Sequence, residues 1–199
     1  MGAISRIAVL LAVVYPSLAV SDSPAAPKIA SVAYSGNGCP RNIKQYGDFN
    51  DPTFKFTDFN LSYPGPTTQT LNCQVMIQTT GASPGWQVAV SDNWVRGHVY
   101  LEPGTALDFL TTVYFSQSAS QTASVRGRIN NRDGSSTLDQ SVTLHNDLTS
   151  SRVWSPCTGS DGTTGILNVN FRGVLTGDGS SKAHFEASTE NWDLDWRRC

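Results

Sequence analysis

The chain has 199 residues, 39% apolar and 15% charged, with four cysteines and a formal net charge of −2. That length suits one domain able to bury a core of its own. The 14 Lys and Arg are scattered, so the basic stripe that nucleic-acid binding requires is missing and no nucleic-acid partner is expected.

Taken in chain order, residues 1–19 read as a three-part export signal. Arg6 supplies the positive charge, residues 7–15 form an unbroken apolar run, Pro16 ends it, and Ser17 and Ala19 put small side chains at the cleavage positions. The run falls short of the ~20 apolar residues of a membrane span, so no membrane anchor is expected. Residues 20–30, which include the Pro- and Ala-rich SDSPAAP, read as a disordered leader, and 31–199 as a single domain. The expected location is secreted and extracellular.

From residue 30 onward, period-two alternation of apolar and polar side chains dominates, and no window sustains a helical stripe. The pattern predicts strands at 30–35, 54–61, 72–79, 86–91, 94–101, 109–117, 121–130, 137–145, 151–155, 166–175, 183–188 and 191–198. Turn signals punctuate them: Pro64-Gly65-Pro66, Ser83-Pro84-Gly85, Asp133-Gly134, Asp161-Gly162 and Asp178-Gly179. Ser91-Asp92-Asn93 reads as a further turn, with Trp86 and Trp94 on either side. Short strands at this spacing predict an all-β fold, an antiparallel β-sandwich or jelly-roll-like domain stapled by disulfides. The sequon Asn60-Leu61-Ser62 makes Asn60 a candidate glycosylation site.

Cys39, Cys73, Cys157 and Cys199 all fall within 31–199. An even count in an exported chain implies two disulfides, and the absence of Cys-x-x-Cys argues against zinc or redox chemistry. Three pairings are open. Cys39–Cys73 with Cys157–Cys199 is favoured, because the last strands read as a hairpin that returns Cys199 towards Cys157.

The landmarks Gly38-Cys39-Pro40, Asn72-Cys73-Gln74, Val153-Trp154-Ser155-Pro156-Cys157 and Trp196-Arg197-Arg198-Cys199 occur in this order, with Arg96-Gly97-His98-Val99 and Val113-Tyr114-Phe115 between them. In these the chain resembles the domain-of-unknown-function 4360 family of small secreted proteins from fungi and some bacteria, over about residues 31–199. His98 stands where the resemblance leads one to expect tyrosine. The family implies secretion and this fold; it brings no established activity.

No His-Glu-x-x-His or Asp-x-Asp-x-Asp-Gly loop is present, and no Gly-x-Ser-x-Gly stands at a strand-to-helix turn: Gly81-Ala82-Ser83-Pro84-Gly85 has the spacing, but it falls on the Ser83-Pro84-Gly85 turn signal with no helical stripe after it. His98, His145 and His184 all lie in predicted strands, where hydrogen-bonded or solvated roles suffice. Asp193 and Asp195 project from one strand face, roughly 6.5–7 Å apart by strand rise, a spacing that admits an inverting glycosidase pair. Arg197 continues that row as a neutralising partner, so the row reads as a solvated face. No catalytic residue, metal ligand or cofactor is therefore assigned. Trp192, Leu194 and Trp196 read as a core stripe, Trp154 as a cover for the disulfide beside it, and Trp86 and Trp94 as an exposed pair for ligand stacking. The function these features support is a non-catalytic extracellular protein, effector- or elicitor-like or a surface-binding module. Its partner would be a host or cell-wall surface component, protein or polysaccharide. The alternative is a hydrolase or lyase acting on cell-wall polysaccharide with carboxylates in a sandwich groove.

Overall fold

The computed structural model describes residues 24–39 and 44–199. The export signal expected at 1–19 lies outside the described residues. The expected leader is described from residue 24, and the first strand already begins inside it, at Lys28.

Among the described residues eleven strands follow in order: β1 (Lys28–Ser35), β2 (Lys44–Tyr46), β3 (Thr53–Lys55), β4 (Asn60–Tyr63), β5 (Thr70–Thr80), β6 (Trp86–Leu101), β7 (Thr105–Phe115), β8 (Thr122–Asn131), β9 (Leu138–Asp147), β10 (Ile166–Thr176) and β11 (Ala183–Arg198). They form two antiparallel sheets. One has the order β1-β5-β10-β7-β8; the other has β2-β3-β11-β6-β9, with β4 also paired to β11. The chain is the all-β sandwich its alternation predicts. Leu71, Cys73, Val75 and Ile77 of β5, and Leu167, Val169, Phe171 and Leu175 of β10, point inward and are buried, each large side chain contributing roughly 1.5–3 kcal/mol of transfer free energy.

Several boundaries differ from the sequence reading, for local reasons. Residues 54–61 divide into β3 and β4, both of which pair with β11. Residues 151–155 are not a strand: a single 3₁₀ turn at Thr149–Ser151 leads into extended chain. The short β2 has too few residues to show alternation. Most instructive is Ser91-Asp92-Asn93, which is no turn: β6 runs unbroken through it. Asp193 pairs with Asp92 but Leu194 pairs with Val90, so Ser91 is the extra residue of a β-bulge. Its hydroxyl donates to the Asp193 carbonyl at 3.1 Å. A second bulge interrupts β11, where Ala187 pairs with Gly97 and Thr189 with Arg96. There the extra residue is Ser188, whose hydroxyl donates to the Arg96 carbonyl at 3.0 Å. Polar residues that resemble turn punctuation thus serve as bulges that keep two 16-residue strands together.

The Ser188 bulge has a further effect. Because side chains alternate along a strand, one added residue turns Glu190, rather than Thr189, into the core, where Glu190 is 0% exposed. Glu190 belongs to a polar belt that divides the interior in two. On β6, Asn93 lies between Val95 of one apolar cluster and Val90 of the other. On β7, Thr111 lies between Phe109 and Val113; on β9, Asn146 between Leu144 and the nearby Leu148; on β11, Glu190 between Ala187 and Trp192. Hydrogen bonds link the belt from sheet to sheet. Asn93 Nδ2 donates to Thr111 Oγ1 at 2.8 Å and to Glu190 Oε1 at 2.9 Å, Trp192 Nε1 donates to the same Oε1 at 3.0 Å, and Thr111 Oγ1 donates to Asn146 Oδ1 at 2.8 Å. Burial outweighs these bonds and pushes the Glu190 carboxyl up to about 7.

Both disulfides join the pairs favoured from sequence, Cys39–Cys73 and Cys157–Cys199. The hairpin argument for the second pair is nevertheless wrong, since β10 and β11 lie in different sheets. What brings the two cysteines together is the segment around Cys157. It runs beside the start of β6, with Ser155 N donating to Val88 O and Thr158 N to Trp86 O. Cys199 N in turn donates to Gly85 O.

A candidate ligand cleft on the six-stranded sheet

The solvent-facing side of the six-stranded sheet gathers residues widely spaced in sequence. Asp92, Trp94, Arg96, His98 and Tyr100 alternate outward along β6, and register sets His145 and Asn191 on either side of Trp94. The His145 imidazole stacks on the Trp94 indole with ring centroids 3.7 Å apart and planes 3° from parallel. Asp92 Oδ1 holds His145 Nε2 at 2.7 Å, and Trp94 Nε1 donates to Asp193 Oδ2 at 3.0 Å. The indole is therefore fixed on one face by a ring and at its edge by a carboxylate.

Next to it lies a cleft of about 460 Å³ lined by Asp51, Trp94, Arg96, Thr143, Asn191 and Asp193. Its polar groups are also held in place: Arg96 Nη1 donates to Asn191 Oδ1 at 3.3 Å, and Asn191 Nδ2 donates to Thr53 Oγ1. The result is a flat aromatic surface beside two carboxylates, a guanidinium, an amide and a hydroxyl. A polyol ligand needs this combination: apolar area for its C–H face, and donors and acceptors for its hydroxyls.

The sequence-derived candidates separate on this framework. Trp94 lines the cleft. Trp86 does not: it is 6% exposed, and the Arg198 guanidinium lies 4.3 Å above its ring. The two are also not neighbours across a turn, because β6 is continuous. Asn60 is exposed on β4. Trp192 is fully buried and Trp196 half-buried, as core members. Trp154 carries Arg197 over its ring at 4.1 Å, and Arg197 Nε donates to Gln87 Oε1 at 3.0 Å, so Arg197 does not neutralise the aspartate row. Asp195 pairs instead with Arg152. All three histidines lie on this outer sheet face and each has a partner: His98 with Asp139 at 2.7 Å, His145 with Asp92, and His184 Nδ1 with Ser62 Oγ at 2.8 Å. Asp51, Thr143 and Asn191 carry no signal in the sequence, and Arg96 stands out there only as a family landmark; only the strand pairing brings them together.

Among the described residues no group of three or more His, Cys, Asp or Glu is arranged to hold a metal ion, and no helix is long and apolar enough to cross a membrane.

These features define a class, the disulfide-stapled antiparallel β-sandwich with a polar, aromatic-lined cleft on one sheet. The chain belongs to the family described as a domain of unknown function, DUF4360, whose model matches residues 25–199. No curated protein matches its sequence. Among solved structures it is similar to TmCBM61 in complex with β-1,4-galactotriose, at 10% identity and a TM-score of 0.26, over 86% of this chain and 91% of that one. It is also similar to the enzymatically active domain of bacteriophage CBA120 tailspike protein 4, at 10% identity and a TM-score of 0.24, over 84% of this chain and 20% of that one.

Proposed function

We propose that this chain is a secreted, non-catalytic extracellular module that binds a polysaccharide of a cell wall or host surface through the Trp94 cleft. The observation that carries this reading is the pre-set indole: His145 and Asp193 lock Trp94 before any ligand arrives. Binding then costs little side-chain entropy, which is how a small site gains affinity. Two disulfides support an extracellular setting, since such bonds persist in oxidising compartments.

A non-catalytic role fits the carboxylates. Glycoside hydrolysis needs an acid with a raised pKa at the scissile bond. Here the carboxyl raised to about 7 is Glu190, sealed in the interior and unable to reach a substrate. The test is retention of the purified protein on a panel of insoluble wall polysaccharides, with release of reducing ends assayed in the same tubes. Retention without release is expected. Release that depends on Asp51 or Asp193 would establish the hydrolase or lyase instead, and retention of neither kind would remove polysaccharide as the partner.

A further inference from the structure

The opposite face of the sandwich carries a second feature, built from different residues. On the outer side of the five-stranded sheet, register aligns Arg172 of β10, Leu110 of β7 and Arg126 of β8 in one row across the strands. The next row on the same face is Val174, Asp108 and Arg128. Together with Phe109 and Thr176 these residues line a groove of about 300 Å³.

Its charges are arranged with care. The Asp108 side chain is 7% exposed and receives both β8 arginines. Arg128 grips it with two bonds, Nε to Oδ1 at 2.6 Å and Nη2 to Oδ2 at 2.7 Å, while Arg126 reaches Oδ1 from Nη2 at 2.9 Å. The Arg128 bonds outweigh burial and hold the Asp108 carboxyl below the usual range, so it stays ionised. One carboxylate thus orients two arginines whose side chains remain 62% and 44% exposed. Arg172, across the strand, is exposed, and among the described residues its guanidinium makes no hydrogen bond or ion pair. Three cations and one anion leave the groove with a surplus of two positive charges, on a chain whose formal net charge is −2. Between the guanidiniums the floor is aliphatic, Leu110 and Val174.

We propose that this groove is a binding site for a carboxylate-bearing polysaccharide, a uronate chain, with Arg172 as the fork that receives the carboxylate. A planar guanidinium matches a carboxylate with two parallel bonds. Arg126, held beside Leu110 by Asp108, supplies the second positive pole, and Leu110 and Val174 meet the C–H face of the sugar ring. Neutral glycans gain nothing from Arg172, so the groove discriminates by charge. The Trp94 cleft lies on the other sheet, and the two sites are independent.

The experiment is affinity electrophoresis of the wild-type protein and of Arg172→Ala and Arg172→Lys. The gels contain polygalacturonate, its fully methyl-esterified form, or dextran sulfate, at low salt. Wild-type protein is expected to be retarded by polygalacturonate and not by the ester. Arg172→Ala should weaken that retardation at least tenfold, and Arg172→Lys should not restore it. Since Arg172 is exposed, the thermal midpoint of each variant should match wild type. Equal retardation of wild type and Arg172→Ala, full recovery in Arg172→Lys, or stronger retardation by dextran sulfate than by polygalacturonate would each overturn the assignment.

Discussion

Phe109 and Gly127 face each other directly across β7 and β8, and a Cβ on Gly127 would overlap the Phe109 ring. Gly173 flanks Phe109 on the other side, in register on β10. The inward row Gly173–Phe109–Gly127 lies beneath the arginine groove, and the glycines exist there because core rings and Leu61 fill the space their side chains would need. Gly127→Ala is therefore expected to destabilise by about 1–3 kcal/mol through overpacking, read as a lower midpoint in urea unfolding. An unchanged midpoint would show that Phe109 can move aside freely.

The Cys157–Cys199 bridge closes a loop with a sequence separation of 42. In the chain-entropy view such a closure contributes about 4 kcal/mol. Cys157→Ser and Cys199→Ser should each lower thermal stability and protease resistance by a similar amount, and the double variant should lose no more than either single one. Additive losses would mean the cysteines act separately.

Glu190 makes stability depend on pH. Its folded-state carboxyl titrates near 7, against an ordinary value of 4.5. Below about 4.5 it is protonated both folded and unfolded, and its contribution is complete. As pH rises towards 7, the unfolded chain releases the proton while the folded chain keeps it, so stability falls, by an amount on the order of 3 kcal/mol. Glu190→Gln retains the acceptor for Asn93 and Trp192 and should flatten this slope in urea melts between pH 4.5 and 8. An unaltered slope would place the titration elsewhere.

Trp86 and Trp94 should separate by assay. Trp86 is buried, so Trp86→Ala is expected to cost about 3–5 kcal/mol of stability. Trp94→Ala should leave the fold largely intact and weaken retention on polysaccharide. A reversed pattern, with Trp86→Ala folded and non-binding, would refute the cleft.

Alternation made the sandwich legible from sequence, because a period of two maps directly onto two faces of a sheet. The same alternation identified Trp192 as core and the Asp193 and Asp195 carboxylates as outward. What escaped were features made by register. A single bulge residue, Ser188 or Ser91, changes which side chain enters the core, and serine beside aspartate and asparagine reads as a turn when a strand is in fact continuing. The arginine groove was equally hidden: Arg126, Arg128 and Arg172 look scattered along the chain, and only the β10–β7–β8 pairing puts them within reach of one ligand. The Cys157–Cys199 pair came from a hairpin that does not exist; β6, running beside both segments, is what unites them.

The polar belt of Asn93, Thr111, Asn146 and Glu190 has a consequence for how the two sheets find one another. Aliphatic and aromatic side chains on either side tolerate sliding, since one apolar contact replaces another at little cost. Hydrogen bonds do not. Were β7 to slip by two residues against β6, Asn93 would meet Phe109 or Val113 where it now meets Thr111, and the buried amides of Asn93 and Asn146 would both lose the Thr111 hydroxyl that joins them across the sheets. The belt thus works as an alignment key, accepting one offset of sheet upon sheet and rejecting those beside it.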